Sequence, residues 1–323
     1  MGRLISSLCS SLAILGAMFS VATAGTTDFP NASITMVNPY SAGGGVDTTA
    51  RIVEPIMSKE LGQQIILDYR PGGNGFIGGG FVAGSKPDGY TLLVSPSGPI
   101  LNVLKTAISY KAPEAFAPVG RLVTTPAFLV VAESSPITSV EQLVALGRDP
   151  SKHVTYAHSG TGTGTHMAAG QLAEMTGAKF VGVPYNGVGP QVADVLSGVV
   201  DFNFMPAADT LPRLGQGLRA LAVTTAERSA LAPDVPTLAE AGVPGYEFSQ
   251  WYGIYAPAGT PQPVLEKLNA AINASLNDEG VKAALLKLGV VPDPTTPEEF
   301  AEVVAKQAKV DNEIATKLGL IAE

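Results

Sequence analysis

The chain has one cysteine in 323 residues, Cys9, and it precedes the body of the sequence. Disulfide scaffolding and thiolate chemistry are therefore excluded. Histidine is almost as scarce: His153, His158 and His166 are the only three, with no HxxxH or HExxH spacing among them. That removes a metal site built on one helical face. Charged residues make up only 15% of the chain, and 28 acidic against 20 basic side chains give a net charge of -8. No Lys/Arg cluster supplies the phosphate contacts that nucleic acid demands, so no nucleic-acid partner is expected. No glycine-rich loop carries a P-loop Lys-Ser/Thr or a dinucleotide spacing, and no serine stands in a nucleophile elbow. With no base beside a candidate Ser or Thr nucleophile, the chain does not read as an enzyme, and no cofactor or metal is expected.

What remains is apolar, glycine-rich and punctuated. Hydrophobic residues are 46% of the chain, with 36 glycines and 25 prolines. Residues 1–24 read as a secretory leader: Arg3, then an apolar and serine-rich run, then Ala22-Thr23-Ala24 as a small-x-small cleavage site. Export to the periplasm is the expectation. No later stretch is apolar enough to span a bilayer.

Downstream, short β-branched runs alternate with Ala/Leu-rich helical patterns. Strands are expected at 34–40, 64–69, 91–95, 127–132, 153–158, 179–184, 201–205, 218–224 and 248–255. Helices are expected at 47–61, 165–176, 188–198, 261–277, 279–288 and 297–318, among others, with Asp47 as the N-cap of the first. The alternation implies an α/β fold with parallel sheets covered on both faces. About 300 residues are better served by two cores than one, and the lobes are expected to interleave in sequence.

Three glycine-rich turns sit at strand-to-helix junctions: 41–45, 72–75 and 159–164. Unobstructed backbone N–H groups at a helix start cradle an anion, and open α/β sheets bind ligands at such strand ends. His166, in the first turn after the third loop, either faces the site or packs. Arg51 is placed one turn from Asp47 as its partner. Trp251 and Tyr252 read as core.

The motifs VNPYSAGGGVDTTAR (37–51), YRPGGNGFIGGGFVAGSKPDGYTLL (69–93), SGTGTGTHMAAG (159–170), VPYNGVGPQVADVLSGVVDF (183–202) and WYGIYAPAGTP (251–261) occur together. In this order they resemble the receptors of tripartite tricarboxylate transporters, the Bug-type extracytoplasmic solute-binding proteins. The resemblance implies a two-lobed, type II-like periplasmic binding protein, each lobe a mostly parallel sheet flanked by helices. Residues 25–124 with 225–323 would form lobe one and 125–224 lobe two, with a small carboxylate ligand in the cleft between them. It further implies membrane permease subunits as partners and a monomeric receptor. Carried over by position, ligand-binding residues are Tyr40, Ser41, Ala42, Gly43, Gly44 and Asp47 of the first loop, with Asp47 holding a loop amide rather than the carboxylate. Ser95 and Ser97 follow the third strand, and Ser159, Gly160, Thr161, Thr163 and His166 belong to the third loop. Tyr185, Asn186, Pro206 and Ala207 close the pocket. The chain departs from the family pattern at Asn186, where a basic residue is usual, and at Gln191, which bears on the ligand's identity more than on the fold. A subunit presenting its ligand to a membrane histidine kinase would carry the same residues; a secreted hydrolase on this fold is disfavoured.

Overall fold

The computed structural model describes residues 29–101, 108–185 and 188–321; the expected leader and Asn186 lie outside the described residues. In chain order come β1 (Ile34–Asn38), α1 (Gly45–Leu61), β2 (Ile65–Tyr69), α2 (Phe76–Ala83), β3 (Thr91–Pro96) and α3 (Ser97–Leu101). There follow β4 (Phe116–Thr125), β5 (Ala127–Ala132), α4 (Val140–Arg148), β6 (Val154–His158), α5 (Gly164–Thr176), β7 (Phe180–Pro184) and α6 (Val188–Leu196). Next are β8 (Phe202–Pro206), α7 (Ala207–Thr210) and β9 (Leu218–Val223). The chain then forms β10 (Gln250–Pro257), α8 (Gln262–Asn277), α9 (Glu279–Lys287), β11 (Val291–Pro292) and α10 (Pro297–Lys317).

These strands build two sheets, ordered β11-β4-β10-β3-β1-β2 and β7-β6-β8-β5-β9. β1 pairs in parallel with β2 and β3, and β6 with β7 and β8, through helical crossovers. The remaining pairs are antiparallel: β10 with β3 and β4, β11 with β4, and β5 with β8 and β9. β4 enters β5 through Pro126 alone, and β9 leads back to β10. Each lobe is thus a mixed sheet, parallel on one side and antiparallel where the chain changes sheets.

The sequence pattern gives no strand at β4, and the ladder shows why. Against β10, Tyr252 faces Val123 and Gly253 faces Arg121, then Ile254 faces Gly120 and Tyr255 faces Pro118, so the ladder skips Leu122 and Val119. Each skipped residue forms a bulge, so the pairing does not keep a period of two along this stretch.

Side-chain spacing sets the cores. α1 buries Val46, Ala50, Val53, Met57 and Leu61 at helical intervals, against Leu265, Leu268 and Ile272 of α8 and the first sheet. α5 is buried over most of its first turns. It lies so close to α10 that a methyl group on Gly170 would sit 2.8 Å from Leu318 Cδ1. α10 begins with a capping box formed by Thr296 and Glu299, with Pro297 in its first turn. It touches both halves, setting Phe300 against Trp251 and Tyr255, and Ile314 against Gly170. The 225–249 segment lies against the second sheet: Leu238, Tyr246 and Phe248 share a core with Leu129 and Phe204, and the Tyr246 hydroxyl donates to Ala168 O at 2.9 Å. No helix among the described residues is long and apolar enough to cross a membrane.

Candidate functional site

The residues that follow the carboxyl ends of β1, β3, β6 and β8 converge on a cleft of about 300 Å³, the position at which open α/β sheets take ligands. Tyr40, Phe76 and Ser97 line it from the first sheet's side, and Ser159, Thr163 and Pro206 from the second's. Gln250, at the start of β10, and Gln307 and Asp311 of α10 complete the wall. No Lys, Arg or His stands among the described lining residues.

The first loop is tied to its own helix. α1 begins at Gly45 with Gly44 as its N-cap, and Asp47 sits inside the first turn rather than at the cap. Asp47 Oδ2 reaches back to accept Gly43 N–H at 2.8 Å, its Oδ1 accepts the Tyr69 hydroxyl at 2.6 Å, and Arg51 Nε pairs with it at 3.2 Å. Burial pushes the Asp47 carboxyl up, but the Tyr69, Gly43 and Arg51 contacts outweigh it and hold the group below the usual carboxylate range. Ser41, Ala42, Gly43 and Gly44 are exposed and lie outside the cleft lining, as does Asp47. Tyr40 is the residue of this loop that reaches the wall. Burial, with Tyr110 and Tyr252 nearby, raises its hydroxyl to about 12, so it acts as a neutral hydrogen-bonding group.

The third loop is shaped by its histidines. Gly160 and Gly162 adopt φ of 126° and 74°, conformations open to glycine. Gly160 N–H donates to His158 Nδ1 at 3.1 Å and Gly162 N–H to His166 Nδ1 at 3.0 Å. The two rings stack at 4.5 Å between centroids. Burial, reinforced by His158, lowers His166 to about 4. A neutral ring whose Nδ1 accepts carries its proton on Nε2. His166 therefore packs behind the loop and holds it, outside the lining, and Gly160 lies outside with it. Ser159, Thr161 and Thr163 do line the cleft.

At the end of that loop α5 starts with its N-terminus facing the cleft. Thr163 occupies the cap position without a side-chain cap bond, its hydroxyl donating instead to Gly160 O at 2.7 Å. Gly164 and Thr165, the first two helical residues, both line the cleft. Their amides belong to the turn whose N–H groups have no partner within a helix, at the positive end of its dipole.

Ser159 is held from behind. Gln191 Nε2 donates to Ser159 Oγ at 2.9 Å, and Asn203 Nδ2 donates to Gln191 Oε1 at 2.9 Å, both residues being buried. With Oγ accepting from Gln191, the serine hydrogen is directed away from Gln191.

The other sequence-derived positions divide. Ser97 and Pro206 line the cleft. Ser95 is buried and donates to Pro96 O at 3.0 Å, and Ala207 N–H is taken by Pro126 O at 3.1 Å. The Tyr185 hydroxyl donates to Asp194 Oδ2 at 2.6 Å, and the half-buried ring packs against the second sheet's core, outside the cleft lining. Sequence reasoning missed Phe76, Phe248, Gln250, Gln307 and Asp311. The last two had a readable signal: Phe300, Val304, Gln307, Asp311 and Ile314 follow helical spacing, so two polar residues interrupt an otherwise apolar inward stripe. Burial pushes the Asp311 carboxyl up to about 6 against the opposing pull of Gln307, whose Nε2 donates to Oδ1 at 2.8 Å. Among the described residues no His/Cys/Asp/Glu group is arranged to hold a metal ion.

Comparison with known proteins gives this geometry a family. Residues 49–320 match the model of the tripartite tricarboxylate transporter family receptor. The protein BugT of Bordetella pertussis is 34% identical over 322 residues, covering 95% of this chain and 98% of that one. MatC from Rhodopseudomonas palustris, solved with bound malate, superposes with a TM-score of 0.69 at 30% identity, covering 88% of this chain and 99% of MatC. An R. palustris protein solved with adipate gives 0.72 at 31% identity, over 90% of this chain and 99% of that one. Two mixed α/β sheets around a shared cleft and a match along most of the sequence lead to one assignment: this chain belongs to the tripartite tricarboxylate transporter receptor family.

Proposed function

We propose that this chain is an exported periplasmic receptor that captures a small carboxylate in the cleft and presents it to membrane permease subunits. The observation that carries this reading is the start of α5, where Gly164 and Thr165 line the cleft and no side chain caps the helix. Amide dipoles at a helix N-terminus attract a carboxylate without a basic side chain, which suits a protein of net charge -8. Hydroxyls at Ser97, Ser159 and Thr161 line the same cleft, where they can donate to the carboxylate's remaining lone pairs. The malate and adipate in the two related structures support the ligand class.

In this reading residues 1–24 direct export, the receptor works as a monomer, and it releases its ligand unchanged. The lobes close on the ligand by bending at the two crossings, Pro126 and the stretch between β9 and β10. A thermal-shift screen of mono-, di-, amino- and aromatic carboxylates tests the function directly. A ligand at about 100 times its Kd adds about 2.7 kcal/mol of stability, which such a screen resolves. Stabilisation by at least one carboxylate, recovered unmodified afterwards, is the expected result. A screen in which no carboxylate raises Tm removes the reading.

A further inference from the structure

The cleft has two electrical ends. One is the first turn of α5, where unpaired amides give partial positive charge. The other is Asp311, the only acidic residue among the described lining residues. α10 packs against both α3 and α5, whose first turns open onto the cleft, so Asp311 joins the wall from a separate element. The residue is 4% exposed. Gln307 occupies Oδ1, and among the described residues Oδ2 accepts no hydrogen bond and no Lys, Arg or His pairs with the group.

A buried carboxylate without a cation is costly, and an amide or apolar residue at the same place on α10 would spare the fold that cost. Gln307 supplies a single neutral bond. The unmet demand is for a cationic donor, and the open side of the group faces the ligand cleft.

Resting on the receptor reading above, we infer that Asp311 selects the ligand: the cleft takes a carboxylate that also carries an ammonium, an amino acid in its zwitterionic form. The carboxylate lies at the α5 amides and the ammonium donates to Asp311, with Gln307 holding the aspartate in place. About 300 Å³ accommodates a molecule of that size. A dicarboxylate would set its second anion against Asp311 with no described basic lining residue to offset it, so dianions are disfavoured by the same residue.

The test is isothermal titration at pH 8, where the Asp311 carboxyl is ionised, with the mature protein. The probes are amino-carboxylates (glycine, L-alanine, β-alanine, 4-aminobutanoate and 5-aminopentanoate) and dicarboxylates of matching length (malonate, succinate and glutarate). The best amino-carboxylate is expected to bind the unsubstituted protein at least tenfold more tightly than the best dicarboxylate. Asp311→Asn, or Asp311→Ser should the amide disturb packing, is expected to shrink that ratio at least tenfold while circular dichroism stays unchanged. A preference for a dicarboxylate, or a ratio indifferent to both substitutions, overturns the assignment of Asp311 and leaves the carboxylate-receptor reading standing. Binding of neither series, in a protein that also ignores every other carboxylate, overturns both.

Discussion

Gly164 and Gln250 meet across the cleft so closely that a methyl group at position 164 would lie 1.3 Å from Gln250 Nε2 and 2.4 Å from its Cδ. The absence of a β-carbon on the first residue of α5 is what lets the β10 carboxamide stand beside that helix start. Gly164→Ala therefore drives the Gln250 side chain out of its position and into cleft space. The end of a glutamine moves cheaply and alanine suits a helix, so Tm should change by no more than a degree or two. Ligand affinity should fall about tenfold, worth about 1.4 kcal/mol. Titration of the best ligand from the screen checks this, and Gly164→Ala combined with Gln250→Ala should regain part of the loss.

Gln191 is expected to matter through Ser159 rather than by touching ligand. Removing its carboxamide leaves Ser159 Oγ without the bond that orients it and leaves the Asn203 amide unaccepted. Gln191→Ala should cost about 1–3 kcal/mol in urea unfolding, as expected for orphaned buried polar groups. It should also weaken binding by a factor close to that of Ser159→Ala. In the double variant the two binding losses should not add. Additive losses would assign the residues separate roles.

The Asp47 carboxyl is held below its ordinary range in the folded protein, so its contribution is present above the unfolded carboxyl pKa and fades as pH falls. Unfolding between pH 6 and pH 3 should show the parent losing more stability on acidification than Asp47→Asn. Asp47→Ala, which removes the acceptor of Gly43 N–H and of the Tyr69 hydroxyl, should cost about 1 kcal/mol at pH 7, since both donors remain open to water.

Asp311 runs the other way. Its folded carboxyl is raised to about 6, so the folded state binds the proton more tightly than the unfolded chain, and stability drops as pH climbs from about 4 through about 6. A shift of about two units corresponds to a difference on the order of 3 kcal/mol. The gap between Asp311→Asn and the parent, measured without ligand, should widen across that interval in favour of the variant. A gap constant with pH would mean that the group ionises as freely folded as unfolded.

Much of this architecture was legible because its causes are local. Alternating β-branched runs and helical spacing gave β1, α1, β6, α5 and their glycine turns, and the i,i+4 spacing of Asp47 and Arg51 gave the ion pair that closes at 3.2 Å. The third loop, singled out for its glycines, lines the cleft through Ser159, Thr161 and Thr163. What stayed hidden depends on partners distant in sequence. β4 is a strand because β10 pairs with it across bulges at Val119 and Leu122. The resemblance implies Tyr185 and His166 at the ligand, and here the Tyr185 hydroxyl donates to Asp194 and His166 Nδ1 accepts Gly162 N–H. Gln307 and Asp311 reach the cleft only because α10 comes back across α3 and α5.

The join at Pro126 carries one further consequence. With a single residue separating the last rung of β4 from the first of β5, and its φ fixed by the pyrrolidine ring, the direct crossing between the two sheets has little slack. The bending proposed for ligand capture would turn on the torsions around Pro126, with the longer return between β9 and β10 as the looser second connection.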